Sequence, residues 1–200
     1  MIETSLTRER ILEAAEDVLR RFGPAKATVV DVARALGVSH GSVYRHFPSK
    51  AALRAAVTER WLVRVSAPLG EVAAEDGPAP ERLRRWFELL MRTKKKKLFE
   101  DPELFATYSA LVGDARDVVV AHIQTLNEQL ARILADGIAR GEFTITDPMA
   151  MGRAVFNATT RFHNPIHAAE WADPASEAAF EGVWQLILRG LGATPAPAAP

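Results

Sequence analysis

Two short predicted helices and the turn between them occupy Thr28–Lys50, which read TVVDVARALGVSHGSVYRHFPSK. Thr28 and Asp31, three residues apart, form a capping-box pattern at the start of the first helix. Gly37 ends that helix, because glycine enters the left-handed conformation that helix ends favour. Ser39 is suited to cap the second helix. The stretch therefore predicts a helix-turn-helix.

The second helix of this pair has side chains suited to the major groove of DNA, which is wide enough to admit a helix. Residues at its start are small or hydrogen-bonding, so they let the helix approach the bases: Ser39, His40, Gly41 and Ser42. Val43 and Phe47 lie four residues apart and are predicted to face the core. The outward residues are then His40, Gly41, Tyr44 and Arg45.

Contacts to the DNA backbone are predicted around the same helix. Tyr44 and His46 carry polar tips that reach phosphate oxygens. Lys50 lies in the first turn of the next helix, where its charge adds to the free amide groups at a phosphate. The pattern predicts a DNA-binding head.

Together, Thr28–Ala33 and Gly37–Leu53 resemble the signature of the tetracycline-repressor (TetR) family. The resemblance implies an all-helical homodimer with N-terminal DNA-binding heads and a larger C-terminal domain that binds a small inducer and dimerises. Leu36 stands where many members have alanine, a change compatible with packing. By this resemblance the residues that contact the DNA backbone are Thr28, Ser42, Tyr44, His46 and Lys50. Those nearest the bases are His40, Gly41 and Arg45.

Composition and charge agree with such a protein. The chain has 200 residues, 48% of them hydrophobic, no cysteine and a formal net charge of zero. Without a membrane-length apolar run or a signal-like start, we expect a cytoplasmic protein. Residues 34–64 hold six basic side chains and one acidic one, a local charge of +5. The basic residues are Arg34, Arg45, Lys50, Arg54, Arg60 and Arg64.

The periodicity along the rest of the chain predicts an all-α protein. An amphipathic stripe from Ile11 to Phe22 ends at Gly23-Pro24. After a helix from Lys50 to about residue 68, the stretch 70–80 is predicted to be a connection. Further helices are predicted at 81–97, 102–111, 115–140, 148–161 and 176–191. The expected domains are a head at 1–50, a C-terminal domain at 51–193 and a disordered tail at 194–200.

Large side chains in the C-terminal part are candidates for an effector pocket, although helical bundles also fill ordinary cores with such residues. The candidates are Trp61, Trp86, Met91, Phe105, Tyr108, His122, Phe156 and His163. Apolar faces on the last two long helices suit a four-helix dimer interface. Four consecutive lysines, Lys94–Lys97, are interpreted as a solvated helix end rather than as a nucleic-acid contact.

Histidines leave a metal-responsive alternative open. His122, His163 and His167 would need further ligands such as Asp114, Asp117 and Glu170. Pro165 disfavours helical geometry at Asn164, so His163 and His167 are expected to straddle a break. Structural hydrogen bonding and an organic-effector pocket are the other interpretations of these histidines, and no metal or cofactor is expected to be required.

Two other classes of function are weighed against a ligand-controlled repressor. An enzyme is disfavoured because the chain has no cysteine nucleophile, glycine-rich phosphate loop, Gly-x-Ser-x-Gly or His-Glu-x-x-His motif. The head could instead mediate protein contacts, or the regulator could activate rather than repress. The predicted partners are double-stranded operator DNA, a small-molecule inducer and a second copy of the chain.

Overall fold

The computed structural model describes residues 6–193, which contain helices and no strand. The predicted disordered tail lies outside the described residues. In chain order the α-helices are α1 (Arg8–Lys26), α2 (Val29–Leu36), α3 (His40–Tyr44), α4 (Lys50–Ala74), α5 (Ala79–Glu100), α6 (Pro102–Asp114), α7 (Arg116–Ala139), α8 (Pro148–Ala158), α9 (Thr160–His163) and α10 (Ala175–Gly190). A 3₁₀ turn at Pro165–Glu170 separates the last two. The predicted all-α fold class is confirmed.

The first helix breaks where glycine and proline predict it. Gly23 leaves helical geometry with φ 72°, and Pro24 begins a short final turn that ends at Lys26. Ile11 and Leu19 on the predicted stripe are buried, whereas Phe22 is 45% exposed. The buried stripe of α1 therefore ends one turn earlier than predicted.

Proline does not end the fourth helix, which is a correction. The helix passes through Pro68 and reaches Ala74, so most of the predicted connection at 70–80 is helical. Val65, Leu69 and Ala73 recur every four residues and are almost completely buried. Packing along this face outweighs the hydrogen bond that a proline removes.

The described residues form two compact units. The first unit comprises the described residues up to Arg64 together with Glu100–His122. Trp61 of α4 stacks on Tyr108 of α6 with ring centroids 4.6 Å apart, in a core shared with α1, α2 and α3. The start of α4 and all of α6 thus belong to the same unit as the helix-turn-helix, and the expected domain boundary at residue 50 stays a prediction.

The second unit comprises Val65–Phe99 and the described residues from Ile123 onward. Its core is aromatic, and Trp86 donates its indole N–H to Gln129 Oε1 at 3.1 Å. A buried cation, Arg82, donates to Asp136 Oδ2 at 2.8 Å and to the Ala73 carbonyl at 3.0 Å. Gly137 of α7 leaves room for the Phe143 ring.

The apolar faces predicted to suit a dimer interface also contribute to this core. Buried residues of α8 and α10 include Val155, Phe156, Phe180, Trp184 and Ile187. Leu186 of α10, in contrast, is 67% exposed. Both helices therefore contribute to the core of one chain, and their part in a dimer interface stays a prediction.

Candidate DNA-binding surface

Thr28 and Asp31 form the predicted capping box of α2. The Asp31 amide donates to Thr28 Oγ1 at 3.2 Å, and the Thr28 amide donates to Asp31 Oδ2 at 3.1 Å. The Thr28 hydroxyl also donates to the same carboxylate at 2.6 Å, which lowers the pKa of Asp31. Thr28 is exposed, but its hydroxyl proton is already engaged. Its contact with the DNA backbone stays a prediction.

Gly37 and Ser39 set the direction of α3. Gly37 has φ 67°, in the left-handed region, and its amide donates to the Arg34 carbonyl at 3.1 Å. Ser39 Oγ accepts from the Ser42 amide at 3.2 Å, which is the predicted N-cap. Both capping predictions are confirmed, and together they turn the chain sharply between α2 and α3.

The two faces of α3 are divided as predicted. Val43 and Phe47 are 0% and 2% exposed and belong to the core of the first unit. On the opposite side, exposed residues are Ser39, His40, Gly41, Tyr44 and Arg45. The His40 and Tyr44 rings meet edge to face with centroids 6.2 Å apart. The helix thus presents a continuous polar and aromatic surface to solvent.

Hydrogen bonds hold the polar side chains of α3 in an ordered row. Ser39 Oγ and Ser42 Oγ are 3.0 Å apart, and the Arg45 guanidinium donates to Ser42 Oγ at 3.2 Å. The Arg45 side chain is therefore positioned along the exposed face before any partner arrives. Such preorganisation reduces the side-chain entropy that is lost on binding.

Residues predicted to contact the DNA backbone lie next to this row. Ser49 Oγ accepts from the Ala52 amide at 3.0 Å, so Ser49 caps α4 and Lys50 is its first residue. Lys50 and His46 are partly buried. The structure thus brings His46 and Lys50 to the end of the helix-turn-helix, next to free amides at the start of α4.

Arg8 is a residue of this surface that the sequence does not reveal. Its guanidinium lies 4.2 Å from the centre of the Phe47 ring and donates to the His46 carbonyl at 2.7 Å. The contact joins residues 38 positions apart, and no local motif predicts such a pairing. Arg8 fastens the start of α1 to the end of the helix-turn-helix and adds a cation beside it.

The basic surplus predicted for residues 34–64 is largely offset by acidic residues elsewhere in the chain. Arg60 lies within salt-bridge distance of three glutamates of α1, at 2.6 Å, 3.5 Å and 3.3 Å. Arg64 pairs with Glu16 at 3.0 Å, and Arg54 pairs with Asp114 at 3.5 Å. Arg34 pairs with Asp31 at 3.1 Å. Within the described residues, only Arg45 and Lys50 of the six lie outside such pairs.

The candidate effector residues do not gather in one unit. Four belong to the first unit: Trp61, Phe105, Tyr108 and His122. The other four belong to the second unit: Trp86, Met91, Phe156 and His163. Trp61 and Tyr108 are buried in a stack, and burial raises the pKa of Tyr108 to about 12. A pocket lined by these residues stays a prediction.

The histidines of the second unit already have intramolecular partners. His163 ends α9, Asn164 is extended, and His167 follows in the 3₁₀ turn, so the predicted break is confirmed. His163 Nε2 lies 3.3 Å from the Phe156 carbonyl, and His167 Nδ1 lies 3.0 Å from Glu170 Oε1. In the described part of the chain, no three histidine, aspartate or glutamate side chains gather as metal ligands.

The lysine run lies near the end of α5, as predicted, but its four side chains are not equally exposed. Lys96 is exposed, but Lys94 is partly buried, and burial lowers its pKa to about 8. A signal was present in the sequence, because Lys94 follows Leu90 by one helical turn on the apolar face of α5. Four consecutive lysines make this helical spacing hard to recognise in the sequence.

Comparison with known proteins identifies the architecture. A family model described as "Bacterial regulatory proteins, tetR family" matches residues 11–57. A second, "Tetracyclin repressor-like, C-terminal domain", matches residues 79–184, more than half of the chain. The chain belongs to the TetR family. It is a DNA-binding transcriptional regulator, as the helix-turn-helix predicts.

Individual TetR-family proteins are similar along much of their length. The HTH-type transcriptional regulator TtgR of Pseudomonas putida is 26% identical over 146 residues, which cover 70% of each chain. SmeT, the repressor of the Stenotrophomonas maltophilia multidrug efflux pump SmeDEF, superposes with a TM-score of 0.67 at 21% identity, covering 98% of this chain and 99% of SmeT.

A second solved structure, the TetR-family repressor FadR of Thermus thermophilus in complex with lauroyl-CoA, has a TM-score of 0.61 at 22% identity, covering 96% of this chain and all of FadR. At these identities the two structural matches establish the fold. No described helix is both long and apolar enough to cross a membrane.

Proposed function

We propose that this TetR-family regulator is a repressor that binds a palindromic operator as a homodimer and is released by a small-molecule effector. One observation carries the DNA-binding half of the proposal. α3 buries Val43 and Phe47 and turns an ordered polar row outward, led by Ser42 and Arg45. Two such helices, one from each copy of the chain and about one turn of DNA apart, would read a twofold-symmetric site.

The residues of the helix-turn-helix are assigned either to the base edges or to the backbone of the DNA. His40, Gly41 and Arg45 are proposed to lie nearest the base edges, because they are exposed at the start of α3 and directly after its last residue. Positioning on the DNA backbone is assigned to Thr28, Ser39, Ser42, Tyr44, His46 and Lys50. Arg45 has the donor geometry for a guanine, whose major-groove edge carries two acceptors.

Effector control is proposed for the second unit. Its core contains many aromatic side chains, and the similar structures include a repressor of a multidrug efflux pump and a regulator holding lauroyl-CoA. An effector that binds one conformation better than another would shift the population away from the DNA-binding form. We assign operator binding to the head at 1–50 and effector binding and dimerisation to 51–193.

The test begins with the selection of bound DNA from a random pool by the full chain. A conserved palindrome in the selected DNA, and anisotropy that prefers it over scrambled DNA at every salt concentration, would support the proposal. Sequence-blind binding would contradict it. A reporter placed behind the selected operator then gives the sign of regulation, since an activator would raise expression where a repressor lowers it.

Release by an effector is tested on the same complex. Compounds added to the operator complex should lower its anisotropy at concentrations that saturate the protein, and size-exclusion chromatography with light scattering should give the mass of two chains. A monomer that binds the operator with full affinity would overturn the dimeric part of the proposal.

A further inference from the structure

Arg8, the first residue of α1, is held by the segment that joins α3 to α4. Its guanidinium carbon lies 4.2 Å from the centre of the Phe47 ring, and Nη1 donates to the His46 carbonyl at 2.7 Å. Phe47 is 2% exposed, so the ring under the guanidinium is fixed in the core of the first unit. The ring contact and the carbonyl together fix where the charge of Arg8 lies.

The backbone that carries Arg8 is fixed as well. Thr7 caps α1, because its Oγ1 accepts from the Arg10 amide at 3.2 Å and its carbonyl accepts from the Ile11 amide at 3.1 Å. Ile11 is completely buried, and Leu6 packs against the same core. Arg8 is therefore in place at the end of the helix-turn-helix before DNA arrives, which reduces the side-chain entropy that is lost on binding.

The charge of Arg8 is not neutralised within the chain. Among residues 6–193, no carboxylate forms an ion pair with Arg8. The adjacent acid, Glu9, pairs with Arg60 at 2.6 Å instead. Four of the six basic residues at 34–64 lie in such pairs, whereas Arg8 keeps its charge for an external partner.

Most of the hydrogen-bonding capacity of Arg8 is also unused. An arginine has five N–H donors in one plane, and within the described residues Arg8 makes a single hydrogen bond, from Nη1. The Phe47 ring covers a face of the guanidinium and leaves its edge open, since the Arg8 side chain is exposed. A phosphate accepts two parallel N–H bonds from such an edge, so Arg8 has both the charge and the donors for one.

The place of Arg8 is at the end of the recognition helix. His46, whose carbonyl it binds, follows Arg45 directly and precedes Lys50, the first residue of α4, by four positions. Arg8 is thus a third cation at this end of the helix-turn-helix, supplied by a different helix. When a recognition helix enters the major groove, its ends lie near the sugar-phosphate strands that border the groove.

We propose that Arg8 is a further contact to the DNA backbone, in which its guanidinium, held by Phe47 and the His46 carbonyl, pairs with a phosphate beside the bases that α3 reads. The inference rests on the part of the proposed function in which α3 enters the major groove. A phosphate is the same for every base pair, so this contact adds affinity and fixes the orientation of the head without reading sequence.

Fluorescence anisotropy over a series of salt concentrations tests the contact. The full chain is measured as wild type, Arg8→Gln, Arg8→Lys and Arg92→Gln, on the selected operator and on a scrambled duplex of equal length. Arg8→Gln should weaken binding to both duplexes about tenfold and reduce the slope of log affinity against log salt by about one for each head, or about two for a dimer. Arg92→Gln removes the same charge from an exposed position in the second unit and should change neither quantity.

Arg8→Lys separates a phosphate contact from support of the backbone at His46. Lysine keeps the charge but not the planar fork, so the salt slope should match that of the wild type, and affinity should fall less than in Arg8→Gln. A loss of affinity in Arg8→Gln with an unchanged salt slope would mean that Arg8 only supports the fold of the head, and the inference would be wrong. Circular dichroism melts establish that each variant is folded.

Methylphosphonate substitution then locates the phosphate. Neutral methylphosphonates are placed one at a time along the operator backbone. The wild type should lose affinity at one position in each half-site where Arg8→Gln loses little, because the partner of that phosphate is already gone. Arg8→Met, which keeps an apolar stem over Phe47, is scanned in parallel so that the result does not depend on one variant. The same losses at every position in the wild type and in both neutral variants would exclude the contact.

The two duplexes also separate this inference from the proposed function. If the wild type does not prefer the operator but Arg8→Gln reduces the salt slope on both duplexes, operator recognition fails and the phosphate contact stands. If the operator is preferred and Arg8→Gln binds it with the affinity and slope of the wild type, the contact is wrong and the regulator is not.

Discussion

Replacing Lys94 with methionine is expected to stabilise the folded chain at neutral pH. Burial lowers the pKa of Lys94 from 10.5 to about 8, so the folded state binds this proton less tightly than the unfolded chain does. One pKa unit corresponds to about 1.4 kcal/mol, which makes the charge unfavourable by about 3 kcal/mol. Because part of the side chain is accessible to water, we expect a gain of about 2 kcal/mol from Lys94→Met.

The gain should depend on pH in a defined direction. Below about pH 8 the lysine is charged in both states, and the whole penalty is present in the wild type. Between about pH 8 and 10.5 the folded state releases its proton first, so the free energy of unfolding of the wild type rises. Lys94→Met has no proton to release there. The difference between the two proteins should therefore shrink as the pH approaches 10.5.

Urea unfolding followed by circular dichroism measures this difference. Wild type, Lys94→Met and Lys96→Met are compared without ligand at one protein concentration, because the stability of a dimer depends on concentration. Lys96→Met controls for the loss of one positive charge at an exposed site. The reasoning is refuted if both variants are equally stable near pH 7, or if the advantage of Lys94→Met is the same near pH 10.

Three further predictions concern the DNA-binding surface and the core. Lys50→Ala should weaken binding to every DNA sequence and reduce the slope of log affinity against log salt by about one for each head, or about two for the dimer, as measured by anisotropy. Arg45→Ala should lower the discrimination between bases at one base pair by about 1–3 kcal/mol, as measured by repeating the DNA selection. An equal loss of affinity for all DNA sequences would contradict a role for Arg45 in base recognition. Gly137→Ala should lower the free energy of unfolding by about 2 kcal/mol or more, because its Cβ would overlap the Phe143 ring. Gly113→Ala, a helical position with no heavy atom within 4 Å of the new Cβ, is its control and should raise the free energy of unfolding by up to about 1 kcal/mol, because alanine has the higher helix propensity.

Local chemistry made the helix-turn-helix predictable from the sequence. The capping box at Thr28, the left-handed Gly37 and the serine cap at Ser39 each act within four residues, and all three are present in the structure. The burial of Val43 and Phe47 follows from their spacing alone. Where a feature depends on neighbours in sequence, the prediction and the structure agree.

Features that depend on distant packing were missed. Pro68 and Gly70 are strong signals for a connection, but the face formed by Val65, Leu69 and Ala73 keeps the helix intact. The ion pairs of Arg60 with α1 join positions 44 to 51 residues apart, so the charge count of one segment could not reveal them. At Lys94, composition suggests solvent while periodicity suggests the core, and the side chain is partly buried.

The ion pairs between basic and acidic residues of the first unit affect how the regulator finds its operator on a chromosome. Arg60 is 17% exposed among its three glutamates, and a guanidinium so engaged does not displace counterions from DNA. If Arg45 and Lys50 are the main cations of residues 34–64 that do so, two heads release about four ions through this segment, and affinity for arbitrary DNA is lower and changes less steeply with salt than it would with six to ten phosphate contacts there. Such a regulator spends little time on the wrong sequence, so the occupancy of its operator is governed by the fit of α3 to the bases.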